Sequence, residues 1–239
     1  MTSVWEKKEV VEDYASDKFI GLQKPEQFIL DEIHTELTGC NMLDIGVGGG
    51  RTTFHFAPMV KNYHGIDISN NMIKKCREKY GHWNNVKFDV ASVVDLKMFE
   101  DSTFDFVLFS FNGIDYINNE DRHSALKEIK RVLKPHGMFV FSSHNYDAIY
   151  KLLDTKTNGF WFVTKLFLYN TFFGKKGNGY AIMNDGAHDF KLKTYYIKRS
   201  AQIEVLEDLG FKFVKTYDSM GESKIVESDE DWIYYFCRK

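Results

Sequence analysis

Between residues 40 and 144 short apolar runs alternate with amphipathic stretches. The runs are NMLDIG (41–46), YHGID (63–67), NVKFDV (85–90), FDFVLFSF (104–111) and GMFVFSS (137–143). The first, fourth and fifth are apolar on successive residues, as expected of strands covered on both faces. After the second run, SNNMIKKCREKYG offers Ser69 as an N-cap, a stripe of Met72, Ile73, Cys76 and Tyr80, and Gly81 as a stop. NNEDRHSALKEIKRVLKPHG places Glu120 and Asp121 in a first turn, then Ala125, Leu126, Ile129, Val132 and Leu133 on one face, with Pro135 at its end. Strand and helix in alternation predict an α/β fold, a doubly wound, mostly parallel sheet with helices on both faces. A helix at 200–210 and two more runs, FKFVKTY (211–217) and DWIYYFCRK (231–239), bring the expected strand count to seven.

Two segments stand outside this rhythm. Residues 1–38 read as an N-terminal helical cap: Pro25 sits in a first turn, Phe28, Ile29, Ile33 and Leu37 recur at helical spacing, and Gly39 stops the pattern. Residues 145–198 read as an insertion or lid after the fifth strand, too long for a plain loop. Its run FWFVTKLFLYNTFF (160–173) has seven aromatics in fourteen residues. The division expected is one domain, with a cap (1–38), a ligand-binding core (39–144), an insertion (145–198) and a C-terminal helix with strands (199–239).

Composition narrows the function. Hydrophobic residues make up 44% of 239 residues, ordinary for a globular chain. The formal charge of −3 argues against a nucleic-acid partner, because phosphate affinity needs clustered lysine and arginine. Cys40, Cys76 and Cys237 form no CxxC pair, and the histidines lack ligand spacing, so no metal is expected. The first residues contain no apolar leader and no run reaches membrane-spanning length, so a cytoplasmic protein without membrane contact is expected. Lys165 is the only charge in the aromatic run, which reads as core or lid packing ahead of an oligomer contact or an interfacial patch; a homodimer is left open.

The informative segment is Leu43-Asp44-Ile45-Gly46-Val47-Gly48-Gly49-Gly50-Arg51. A buried strand runs into a glycine loop and then a helix, where unpaired N–H groups and close backbone approach suit an anionic or polar ligand. Asp67 follows Gly46 by 21 residues and ends the second strand, placed to accept hydrogen bonds from ribose hydroxyls. A dinucleotide fingerprint needs a small residue at position 51, where Arg51 stands. Asp44 directly before the loop would repel a pyrophosphate and attract an ammonium. An NAD(P)-dependent oxidoreductase and a non-catalytic nucleotide-binding module are the alternatives.

These residues resemble the class I, Rossmann-like S-adenosylmethionine-dependent methyltransferases. Asp44 through Gly50 is similar to their first motif, which holds the methionine end of the cofactor. Gly65-Ile66-Asp67-Ile68-Ser69 with Met72 is similar to the second. Asp89-Val90 lies where the family places an acid near the adenine. Phe104 through Asn112, with Phe109 and Ser110, resembles the motif that lines the transfer site. The resemblance implies S-adenosyl-L-methionine as cofactor and methyl transfer to an oxygen or nitrogen of a small molecule. The basic residues Lys175, Lys176, Lys191, Lys193, Lys198 and Arg199 leave room for a phosphate-bearing acceptor, a sugar or polysaccharide precursor. Candidate catalytic residues are His144 as general base, Asn112 on the same rim, and Tyr14, which with Phe19 closes over the cofactor.

Overall fold

The structure is a computed structural model; it describes residues 2–16, 21–221 and 230–239. Phe19 lies outside the described residues. The chain opens with two short helices, α1 (Thr2–Trp5) and α2 (Lys8–Tyr14), and then α3 (Lys24–Leu37). Next come β1 (Asn41–Ile45), the turn α4 (Thr53–Phe56), β2 (Asn62–Asp67), α5 (Asn70–Tyr80), β3 (Val86–Val90) and β4 (Phe104–Phe109). The helix α6 (Asn119–Val132) leads into the long β5 (Leu133–Asn145).

Local signals explain these elements. The hydroxyl of Ser69 accepts the N–H of Met72 and starts α5, and Met72, Ile73, Cys76 and Tyr80 are its buried residues. In α3, Gln23 and Glu26 form a reciprocal capping box and Pro25 occupies the first turn. Phe28 departs from the expected stripe. It is half exposed and leans on the ring of Tyr217, while Leu30 takes a buried place.

Alternation along each strand divides the core in two. Met42, Phe106, Val140, Tyr234 and Phe236 pack with Ile29 and Ile33 of α3 and Ile73 of α5. Leu43, Val107, Phe139, Phe141 and Tyr235 pack on the other face with Leu126 and Ile129 of α6. The period of two sends successive side chains to opposite sides, so the central strands are apolar throughout.

The strand count differs from the expected seven. The insertion contributes three short strands, β6 (Lys175–Gly177), β7 (Tyr180–Met183) and β8 (Thr194–Ile197), besides the helices α7 (Thr155–Asn158) and α8 (Phe160–Phe173) and the turn α9 (Ala187–Phe190). With α10 (Arg199–Asp208), β9 (Lys212–Tyr217) and β10 (Trp232–Arg238), the sheet has ten strands. Its order is β3-β2-β1-β4-β5-β8-β7-β6, and β10 pairs antiparallel with β5 and β9. Partners of β5 explain where the insertion goes. β10 runs along one edge as far as His144, while β4 stops at Phe141 on the other. β8 takes up that second edge beyond β4, parallel to His144 and Asn145. The inserted strands therefore extend the sheet above the carboxyl end of β4.

Candidate active site

A cavity of about 370 Å³ opens at the carboxyl ends of β1, β2 and β4. This is where open α/β sheets leave room for ligands. Asp44 and Asp67 both line it, on either side of the glycine loop. Gly46, Gly48 and Gly50 have φ of +65°, +54° and +87°. They do different work. A Cβ on Gly48 would meet nothing closer than 4.0 Å, so this glycine leaves its backbone open to the cleft. A Cβ on Gly50 would fall 2.6 Å from the ring of Tyr80, so this one lets α5 pack close.

Asp67 is held by the main chain. Its Oδ2 accepts the Gly48 N–H at 3.0 Å and its Oδ1 accepts the Ser69 N–H at 2.8 Å. Burial pushes its carboxyl up, and those two N–H groups pull it back. Each oxygen keeps a second lone pair for a ligand hydroxyl. Asp44 is fully buried. The hydroxyls of Thr52 and Tyr63 both donate to its Oδ2, the latter at 2.5 Å. Burial dominates and raises its carboxyl from 3.8 to about 6.

Ile68, Met72, Phe109 and Ser110 line the cleft as well, with Ala91, Ser92, Val93 and Val94. Asp89 and Val90 do not. The Asp89 carboxylate is 2.8 Å from His64 Nε2 and 3.2 Å from Arg77, and Val90 is half exposed. These neighbours on β2 and α5 turn Asp89 away. The chain reaches the cleft one residue later, where the Ala91 N–H donates to the Asp67 carbonyl at 3.0 Å.

The roof comes from the N-terminus. Ser69 Oγ donates to the Trp5 carbonyl at 3.0 Å, and Glu6 accepts the Asn70 N–H at 2.7 Å, so the first helices are tied to the start of α5. Trp5, Tyr14, Phe111 and Tyr116 all line the cleft. Their rings meet edge to face: Trp5 with Tyr14 at 5.9 Å, Trp5 with Tyr116 at 5.4 Å and Tyr14 with Phe111 at 6.3 Å. No residue of the segment expected as an insertion or lid lines the cavity itself. The insertion reaches the roof from outside, where His188 packs on Trp5 at 5.1 Å and Thr194 meets Tyr116.

His144 and Asn112 lie behind this wall and do not line the cleft. Tyr116 does, with its ring 6.3 Å from that of His144. Asp115 is buried and organises the layer. Its Oδ1 takes bonds from Arg122 at 2.8 Å and Ser143 at 2.7 Å, and its Oδ2 takes the backbone N–H of His144 at 2.6 Å. His144 Nδ1 is 2.8 Å from the same Oδ2, which assigns the proton to Nδ1 and leaves Nε2 basic. Nε2 faces Asn112 Nδ2 at 3.4 Å, and Asn112 Oδ1 is buried without a hydrogen-bond partner.

One cluster has no local signal in the sequence. Glu26 is 1% exposed and pairs with Arg51, which also bonds Ser110 at 2.7 Å. Burial pushes the Glu26 carboxyl up, but Arg51, Ser110 and the Gln23 N–H outweigh it and hold it below the usual range. Arg51 thus fills the position where a dinucleotide site needs a small residue.

The glycine turn between two acids and the aromatic roof thus share one cleft at the carboxyl ends of parallel strands. Residues 42–137 match the family model described as a methyltransferase domain. A demethylmenaquinone methyltransferase of Staphylococcus haemolyticus (strain JCSC1435) is 29% identical over 203 residues, 78% of this chain and 74% of that one. A Thermotoga maritima S-adenosylmethionine-dependent methyltransferase, described as a possible histamine N-methyltransferase, superposes with a TM-score of 0.64 at 16% identity, over 100% of both chains. The 1,6-didemethyltoxoflavin-N1-methyltransferase of Burkholderia thailandensis, solved with S-adenosylhomocysteine, gives 0.62 at 15% identity, over 99% of this chain and 88% of that one. The likeness to these solved structures shows the fold, and the match to the methyltransferase domain covers residues 42–137 of the 239.

Proposed function

We propose that this chain is an S-adenosyl-L-methionine-dependent methyltransferase that acts on a planar aromatic small molecule. The observation that carries this reading is the rim of Trp5, Tyr14, Phe111 and Tyr116 on the same cleft as Asp44 and Asp67. Flat faces and edges of that kind hold a flat acceptor and also favour a sulfonium charge. Relatives named for demethylmenaquinone and 1,6-didemethyltoxoflavin support a small-molecule acceptor. A phosphate-bearing sugar fits less well. None of the six basic residues of 175–199 lines the cleft, and Lys191 and Lys198 are paired with Asp189 and Asp147.

In this reading Asp67 accepts the ribose hydroxyls, Asp44 faces the ammonium, and Gly46 and Gly48 let the main chain approach. Ile68 and Met72 flank the base with residues 91–94. The cofactor supplies an activated methyl for in-line displacement. The protein aligns the acceptor and keeps water out. His144 does not touch the acceptor; where the acceptor must lose a proton, the proton would cross the Tyr116 wall by way of water to the imidazole that Asp115 orients.

Asp67→Ala is expected to weaken S-adenosylhomocysteine binding by about 1–3 kcal/mol through lost charge-assisted hydrogen bonds. Calorimetry returning the parent affinity would remove Asp67 from the site. The raised carboxyl of Asp44 gives a pH signature. Below about 6 it is neutral, so affinity for the ammonium-bearing ligand should fall as pH drops, approaching tenfold per unit. Asp44→Asn should bind weakly without this slope, and an equally sloped variant would place the titrating group elsewhere. The acceptor itself is tested by offering quinones, phenols and nucleotide sugars with methyl-labelled cofactor. Label appearing only on sugars would overturn the aromatic reading.

A further inference from the structure

The fourteen-residue helix α8 has ten apolar residues and only four polar ones, Thr164, Lys165, Asn170 and Thr171, yet of its described side chains only Leu166 is buried. One edge is docked. Asn170 exchanges two hydrogen bonds of 2.8 Å with the backbone of Asn184, and Phe162 and Tyr169 pack on Phe190. The opposite side faces out: Phe160 is 65% exposed, Trp161 81%, Phe167 64%, Leu168 54% and Phe172 75%. Its hydroxyls are already spent. Thr164 donates to the Phe160 carbonyl and Thr171 to the Phe167 carbonyl, each at 2.8 Å. The face therefore offers water almost nothing to bond, and contiguous apolar surface of this kind marks an interaction site.

Charge identifies the partner. Residues 155–184 contain no aspartate or glutamate and carry Lys156, Lys165, Lys175 and Lys176, in a chain of net charge −3. Lys156 lies in α7 just before the helix, and Lys175 and Lys176 open β6 just after it, all three exposed. Lysines at both ends of an aromatic face fit an anionic surface with an apolar interior. A second copy of this chain fits worse, because a two-fold contact through α8 would bring like-charged ends together. At about 1.5 Å per residue the helix is roughly 21 Å long, too short to span a bilayer core. Among the described residues no helix is long and apolar enough to cross a membrane.

We propose that α8 is an interfacial helix that seats the enzyme on an anionic lipid surface, with Trp161, Leu168 and Phe172 entering the acyl boundary. This reverses the expectation of no membrane contact. The aromatic run reads as packing from its spacing alone, and only its position outside the core shows otherwise. The proposal stands whatever the acceptor is.

The test is flotation of the full chain with vesicles of phosphatidylcholine alone and of phosphatidylcholine mixed with phosphatidylglycerol. The chain should float with the mixed vesicles and far less with the neutral ones. Replacing Lys156, Lys175 and Lys176 together by Gln should lower partition into the mixed vesicles by about a hundredfold. Trp161→Ser with Leu168→Ser and Phe172→Ser should abolish flotation while S-adenosylhomocysteine binding is kept. No flotation by the parent, or undiminished flotation by the serine variant, would overturn the proposal. So would a dimer in sedimentation that the serine variant splits.

Discussion

Replacing Glu26 by alanine is expected to cost about 3–5 kcal/mol of stability, the range for breaking a buried ion pair. Five donors converge on this carboxylate. Arg51 gives two N–H groups at 2.5 and 2.7 Å, Ser110 one hydroxyl, Tyr234 another at 3.0 Å, and Gln23 its backbone N–H at 2.7 Å. Removing it leaves the Arg51 guanidinium, 11% exposed, without its ion-pair partner and with only the through-space charge of Asp44 beside it. The loss comes from orphaning the partner, since an apolar substitute for the whole pair would be close to neutral. Thermal melting should drop by roughly 10 °C for a chain of this size. Glu26→Gln keeps the shape and should lose less. The effect should reach the cleft, since Arg51 and Ser110 line it and Arg51 lies 5.4 Å from the Phe111 ring. Because the Glu26 carboxyl is held below its ordinary range, its contribution is present at neutral pH and lost as pH falls through that lowered value. The parent should therefore lose stability in acid more steeply than Glu26→Ala. A loss under about 1 kcal/mol would show that Arg51 re-pairs through the open cleft.

What could be read from the chain was what local geometry decides. The glycine turn, the acid before it and the acid ending β2 are each placed by a strand end and a tight turn, so Asp44, Gly46, Gly48 and Asp67 are legible by spacing. Asp89 fails the same logic because its direction depends on His64 and Arg77, 25 and 12 residues away. Glu26 is further out of reach: its partners lie 25, 84 and 208 residues along the chain, and only the folded sheet gathers them. The three inserted strands were hidden by size. KKG and TYYI are too short to show a period, and their ladder depends on the free edge of β5 beyond β4. The resemblance that names the cofactor covers the part of the chain where local rules hold, while the roof and the insertion lie where they do not.

The largest effect on turnover is expected from Asp115→Asn. Asp115 does not line the cleft, so its role is to position His144. Its carboxylate fixes the proton on Nδ1, which leaves the Nε2 lone pair, facing Asn112 Nδ2 at 3.4 Å, as the acceptor. An amide in its place can present its NH₂ to Nδ1 and stabilise the opposite tautomer, with the proton on Nε2. For an acceptor that must be deprotonated, kcat should fall by about 10²–10⁴, the usual share of a general base, with KM little changed. A structural loss moves other quantities. Arg122 would lose the charge of its partner at 2.8 Å, so melting temperature should fall too, and activity must be compared where both proteins are folded. The separating measurement is the pH profile. If His144 removes a proton, raising the pH toward the acceptor's own ionisation should restore Asp115→Asn and His144→Gln alike, because hydroxide and the pre-ionised acceptor bypass the base. A deficit that stays constant with pH would make this layer a scaffold for Tyr116, and methyl transfer here would need alignment alone.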